Sequence, residues 1–425
     1  MIVRPPAGRL LAIAVALVFV VGGCSGGEHQ RAGAPTLGEV RALLARHGQA
    51  LLDHSSKDFL ADVDTAPASK AFRAEQADEL DNISDVPLTS WTYAVDAPVT
   101  DESAEQAADK RYGAQALIVQ VTLSYRLTGI DQVPAPKTLW WTFVRRGGHV
   151  YLAGDDDLAQ AGGVSWRGPW DFGPVVVARG SSSLVLGHIA NATALTRLAD
   201  AVDRAIPAVS AVWGTRWAQR VAVLAPADAV EFTALVGSSN TSPDVSAVAI
   251  TDGIDPLTHQ PYGQRLVMDP AALGKLSTLG EAIVIRHEIT HLAAAASTSD
   301  TTPRWLVEGF ADFVAQEGDG QSVRLAAAEL RAEVARGTVP ATLPADSAFA
   351  VGAERLPQTY EQSWLACRLI AARIGTAGLV RFYRQVGTAV LPASFAVAQA
   401  LRDQLRVTTA TFTAQWRAYL RAELA

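Results

Sequence analysis

His287-Glu288-Ile289-Thr290-His291 places two imidazoles four residues apart, with a carboxylate beside the first. On a helix, positions i and i+4 share a face one turn apart, so both rings can reach a single ion. The preceding stretch carries Ala282, Ile283, Val284 and Ile285, an apolar run that suits a buried helix. Neutral imidazole is a ligand that zinc accepts readily, and a catalytic zinc takes three protein ligands and leaves one position to water. A third ligand is therefore needed. Ser297-Thr298-Ser299-Asp300-Thr301-Thr302 breaks the helix, and Thr302 is expected to cap a second one with Pro303 in its first turn. Two helices joined by a short loop pack antiparallel, which would carry Glu308 back toward the histidine pair. Asp312 lies one turn further along the same face, where it could accept a hydrogen bond from the far nitrogen of a ligand histidine and fix its tautomer.

Two histidines on one helix, then a glutamate on the next with an acid four residues later, resemble the gluzincin metallopeptidases. The wording H-E-I-T-H followed by P-R-W-L-V-E-G-F-A-D is similar to the peptidase MA-like family of bacterial surface proteins. That resemblance implies one zinc per chain bound by His287, His291 and Glu308, with Glu288 as general base and Asp312 orienting a ligand ring. It also implies a Tyr or His that donates to the oxyanion. Tyr360, in Gln358-Thr359-Tyr360-Glu361-Gln362-Ser363-Trp364, is the candidate; the alternative is that it only opens a core stripe through Trp364, Cys367 and Ala371. The 16 residues between His291 and Glu308 are fewer than in the best-known gluzincins, so the loop between the helices is expected to differ. The implied reaction is hydrolysis of a peptide or protein substrate, in which Glu288 takes a proton from zinc-activated water and passes it to the leaving amine. The substrate strand would pair with a sheet edge, either Leu266 to Met268 or Val248 to Thr251. A reading from another class stays open: a surface binding or assembly lipoprotein whose peptidase fold has lost catalysis.

The chain that positions these groups has 425 residues, 49% hydrophobic and 19% charged, enough for two or three folded units at roughly 150 residues each. That apolar content excludes wholesale disorder. A net charge of −7, from 36 basic and 43 acidic residues without a basic face, argues against nucleic acid as a partner. Two cysteines cannot build a disulfide scaffold, and Cys367, in an apolar helical pattern, is expected as a small buried hydrophobe. The oligomeric state is left open by the sequence.

Residues 1–23 read as a signal peptide, with Arg4 and Arg9 ahead of an apolar run from Leu10 to Val21 too short to cross a bilayer as a helix. Val21-Gly22-Gly23-Cys24 resembles a bacterial lipobox, which implies cleavage before Cys24, a palmitate-type lipid anchor there, and a place on the extracytoplasmic face of the cell membrane. Residues 24–35 suit a tether. Residues 36–155 are expected as a small α+β domain. Thr36 and Glu39 form a capping box, Leu117 to Leu127 alternate with period two, and Thr138 to Arg145 meets Val150 to Ala153 across Gly147-Gly148 as a hairpin. Its element order resembles the cone-shaped fold of nuclear transport factor 2 and its relatives, here a packing or spacer module. A solvated linker with Asp155-Asp156-Asp157 is expected to lead to residues 164–425, which the gluzincin resemblance implies are a zincin-like α+β metallopeptidase domain. Short strands recur there from Val175 to Met268, with a helix at Ala192 to Ile206, and the pattern turns helical from Leu276 onward. The fold class is therefore α+β with a helical C-terminal part. His29, His47, His54, His149, His188 and His259 lack metal-ligand spacing and are expected to be exposed or singly satisfied.

Overall fold

A computed structural model describes residues 31, 33–99, 101–238, 245–318, 320–350 and 352–425. The expected signal peptide, Cys24, His29 and most of the tether lie outside them. The fold is α+β, and the chain divides into two compact units between Val175 and Val176.

In the first unit Thr36 caps α1 (Leu37–Leu52): its hydroxyl accepts the Glu39 N–H at 3.2 Å while the Glu39 carboxylate accepts the Thr36 N–H at 2.9 Å. The buried face of α1 is Val40, Leu43, Leu44, His47 and Leu51. Three more helices, α2 (Ser56–Ala61), α3 (Lys70–Asn82) and α4 (Glu102–Tyr112), accompany an antiparallel meander of β1 (Leu88–Pro98), β2 (Ala116–Leu127), β3 (Ala135–Arg146) and β4 (His149–Gly154). Along β2, Val119, Val121, Leu123, Tyr125 and Leu127 are buried and the intervening polar residues are half-exposed, as the alternation requires. Arg146 pairs with His149, leaving Gly147 and Gly148 as a two-residue turn with φ of 52° and 84°. Two consecutive positive φ values are what a type I′ hairpin turn demands, and glycine meets them without strain.

Three expectations change in this unit. The end of the tether is fixed, because Arg31 forms an ion pair with Asp109 at 2.6 Å. The aspartate triple is not a solvated linker: buried Asp155 pairs with Arg167 at 2.7 Å, and Asp157 accepts the hydroxyls of Tyr112 and Thr142 at 2.9 and 2.6 Å. The boundary falls later than residues 154–163, because Trp170 is fully buried and packs edge-on to Trp91 at 5.4 Å, holding residues 164–175 on the first unit. Of the single histidines, His47 is buried between the Phe59 carbonyl and the Gln76 amide, and burial pushes its pKa down to about 4.

The second unit opens with β5 (Val176–Arg179), β6 (Ser183–Gly187), α5 (Ala192–Trp213), β7 (Val221–Ala225), α6 (Ala229–Val236), β8 (Ala247–Ile250), β9 (Gly253–Ile254), β10 (Pro261–Tyr262) and β11 (Arg265–Met268). Its five-stranded sheet runs β5-β6-β7-β11-β8, with β6, β7 and β11 parallel and the two outer strands antiparallel to their neighbours. Helices follow: α7 (Thr278–Ala294), α8 (Arg304–Gln316), α9 (Val323–Ala326), α10 (Ala328–Ala335), α11 (Leu356–Ile374), α12 (Thr376–Gly387), α13 (Ala393–Ala400) and α14 (Thr409–Leu424). α5 does not stop at Ile206 but continues through Pro207 to Trp213. A proline inside a helix removes one backbone hydrogen bond, and burial of Val209 and Trp213 beyond it offsets that loss. Thr302 does not cap α8 either. Its hydroxyl accepts the Ser299 N–H, Pro303 takes the capping position, and the first free N–H, that of Arg304, is accepted by Asp346 at 2.8 Å. Among the described residues no single helix is long and apolar enough to cross a membrane.

Candidate metal centre

Ser277 starts α7 by accepting the Gly280 N–H, and Ile285, Ile289 and Leu292 bury the face that fixes its rotation. That leaves His287, Glu288 and His291 turned toward α8 and the sheet. α8 packs back on α7 in the antiparallel sense: Asp312 meets His287, and Glu308, one turn earlier, lies beside both His287 and His291. Gly309 permits this approach to α11, since a Cβ there would come within 2.3 Å of the Ser363 carbonyl oxygen.

The three expected ligands converge. Their ligating atoms all lie within 4.8 Å of one another. His287 Nε2 is 3.0 Å from His291 Nε2, and Glu308 Oε2 is 3.4 and 3.5 Å from the two nitrogens. Three donors about 2.1 Å from one tetrahedral centre stand roughly 3.4 Å apart, so the spacing fits a zinc ion. Glu308 Oε2 is fully buried and makes no hydrogen bond beyond these long approaches to the two imidazoles, a costly state for a carboxylate unless a cation, a protonated His287 or a metal, supplies the missing interaction. The residue types and the orphaned oxygen agree, and these three side chains could hold the metal.

The remaining expected residues surround them. His287 Nδ1 donates to Asp312 Oδ1 at 2.8 Å, which turns the Nε2 lone pair toward Glu308 and His291. Burial disfavours a charged His287, but the Asp312 carboxylate beside it, helped by Glu308 and Glu288, holds its pKa up at about 10. His291 is pushed the other way, chiefly by burial. Two imidazole nitrogens 3.0 Å apart cannot both present bare lone pairs, so either one of them carries a proton or a metal stands between them. Glu288 is nearly buried, and its Oε2 accepts the Ala249 N–H at 2.8 Å. Tyr360, in the second turn of α11, has its ring centroid 6.3 Å from that of His287, and burial together with the nearby carboxylates raises its pKa well above 10, keeping the phenol a donor.

The Ala249 contact answers which strand is the edge. β11 lies between β7 and β8, so its backbone is spent on both sides, whereas β8 is outermost and turns an N–H toward Glu288. Short apolar strands look alike in sequence, and their order in a sheet leaves no local signal. Cys367 is buried in the core, as expected.

No family model matches this chain, and neither does any curated protein. Among solved structures it matches a two-domain M1 zinc metallopeptidase variant bound to L-arginine, at 14% identity and a TM-score of 0.33, over 73% of this chain and 61% of that one. An overlap that slight carries no argument about the site, whose reading stands on its own geometry.

Proposed function

We propose that this chain is a zinc-dependent peptide hydrolase, and the observation that carries the reading is the convergence of His287, His291 and the orphaned Glu308 carboxylate beside Glu288. His287, His291 and Glu308 would hold a zinc ion, which would supply Lewis acidity to activate a water and polarise a carbonyl. Glu288, adjacent in sequence to one ligand and anchored by the Ala249 amide, takes the proton of the attacking water on its carboxylate and delivers it to the leaving amine. The protonated Tyr360 phenol donates to the oxygen that gains charge. Asp312 keeps His287 in the tautomer that presents Nε2. β8, outermost among the described strands of its sheet, offers backbone groups for an extended substrate strand.

We also propose that Cys24 carries a lipid that holds the protein at the extracytoplasmic membrane face. Metabolic lipid labelling that persists in Cys24→Ser contradicts that part alone.

The test of the hydrolase reading is metal content paired with digestion of a peptide library by the full chain and by Glu288→Ala. About one zinc per chain in both, with cleavage only by the wild type, supports it. Zinc retained in a wild type that cleaves nothing supports instead the binding or assembly lipoprotein with a silent peptidase fold.

A further inference from the structure

We infer that Arg304 determines specificity at this centre by binding a carboxylate of the substrate that lies near the scissile bond. The inference rests on the hydrolase reading above and names the class of peptide it acts on.

Arg304 opens α8 one turn before Glu308, on the same helix face and about 6 Å from it along the helix. Its guanidinium carbon sits 5.9 Å over the Phe349 ring, Phe349 contacts Tyr360 at 5.5 Å, and Tyr360 lies 6.3 Å from His287. A continuous row of rings thus joins the guanidinium to a metal-ligating histidine.

The Phe349 ring attracts the guanidinium weakly but accepts none of its N–H hydrogen bonds. A positive charge in the first turn of a helix opposes the macrodipole. The Asp346 carboxylate is engaged by the Arg304 backbone N–H, and among the described residues no carboxylate lies within ion-pair distance of the guanidinium. Its side chain is half-buried, so part of the hydration of the charge is already lost. A planar fork of donors in that state is suited to bidentate binding of an incoming carboxylate. The three carboxylates of the centre would otherwise repel such a group. An extended peptide advances about 3.3 Å per residue, so an acidic side chain or a terminal carboxylate a few residues from the reacting carbonyl reaches across the row of rings.

The test measures binding to zinc-loaded, full-length Glu288→Gln by titration calorimetry. One probe set is an amidated neutral hexapeptide with a single Glu moved through each position. A second is the same neutral sequence shortened to two to four residues with a free C-terminal carboxylate, and fully amidated neutral peptides are the controls. The expected result is at least tenfold tighter binding for one Glu position or for the free carboxylate, which also tells the two sources apart. Arg304→Gln removes that preference, Arg304→Lys keeps part of it, and zinc content stays the same in each. No preference in the parent, or a preference that survives Arg304→Gln, overturns the assignment. Turnover of the neutral peptides by the wild type is scored separately, so loss of the hydrolase reading and loss of the Arg304 assignment give different patterns.

Discussion

Asp312 bonds His287 and the Tyr360 ring lies beside it, and the role proposed for each is separable by a single substitution. Asp312→Ala leaves the three ligand atoms in place but frees His287 Nδ1 from its 2.8 Å partner, so the ring loses both its orientation and its tautomer. Zinc affinity is expected to fall by about 10–100-fold, read by competition with a chromogenic chelator. Unchanged affinity would mean that packing alone orients His287. Tyr360→Phe removes a hydroxyl and preserves the ring that packs on Phe349. If the phenol stabilises the oxyanion, kcat falls roughly 10²–10³-fold with KM nearly constant. Equal kcat for both forms would return Tyr360 to the role of a core residue opening α11.

At the scale of elements, the α8–α11 contact sets where Glu308 stands. Gly309→Ala pushes a methyl into the Ser363 carbonyl oxygen, a clash with backbone that no rotamer change relieves. A cost of about 1–3 kcal/mol in unfolding free energy is expected, with zinc affinity reduced as α8 shifts. Denaturant melts with and without zinc read both effects, and a fully stable variant with wild-type affinity would contradict the tight-contact account. The same elements show what a sequence makes legible. The i, i+4 pair on α7, the return of α8 and the reach of Asp312 to His287 follow from helical periodicity, and the structure brings those residues together. The Gly147-Gly148 turn and the period-two burial of β2 are equally local signals. Sheet order is not local, so β8 could not be told from β11 as the edge beside Glu288. The same limit hid the burial of Trp170 and Asp155 in the first unit, because neither partner, Trp91 nor Arg167, is identified by spacing. Pro207 lies inside α5, where burial of the residues after it offsets the hydrogen bond it removes.

For the whole molecule the centre links stability to pH and to metal. Without metal, His287 in the folded chain holds its proton to about 10, whereas the unfolded side chain titrates near 6.5. The folded pKa is the higher one, so this group's contribution is fully present below about pH 6.5 and is lost as pH rises through its folded value. The melting temperature of chelator-treated protein is therefore expected to drop between about pH 6.5 and 10. Zinc has to displace the same proton, so its affinity rises over that range and the melting temperature of the loaded protein does not share the drop. Parallel pH profiles for loaded and chelated protein would show that His287 does not sit at the metal. The most direct measurement is X-ray absorption at the zinc edge on the full chain, repeated for His287→Ala, His291→Ala and Glu308→Ala. Two imidazole nitrogens at about 2.0–2.1 Å and a carboxylate oxygen near 2.0–2.2 Å, each lost with its own substitution, are expected. A zinc shell that is unchanged by Glu308→Ala would contradict the centre described.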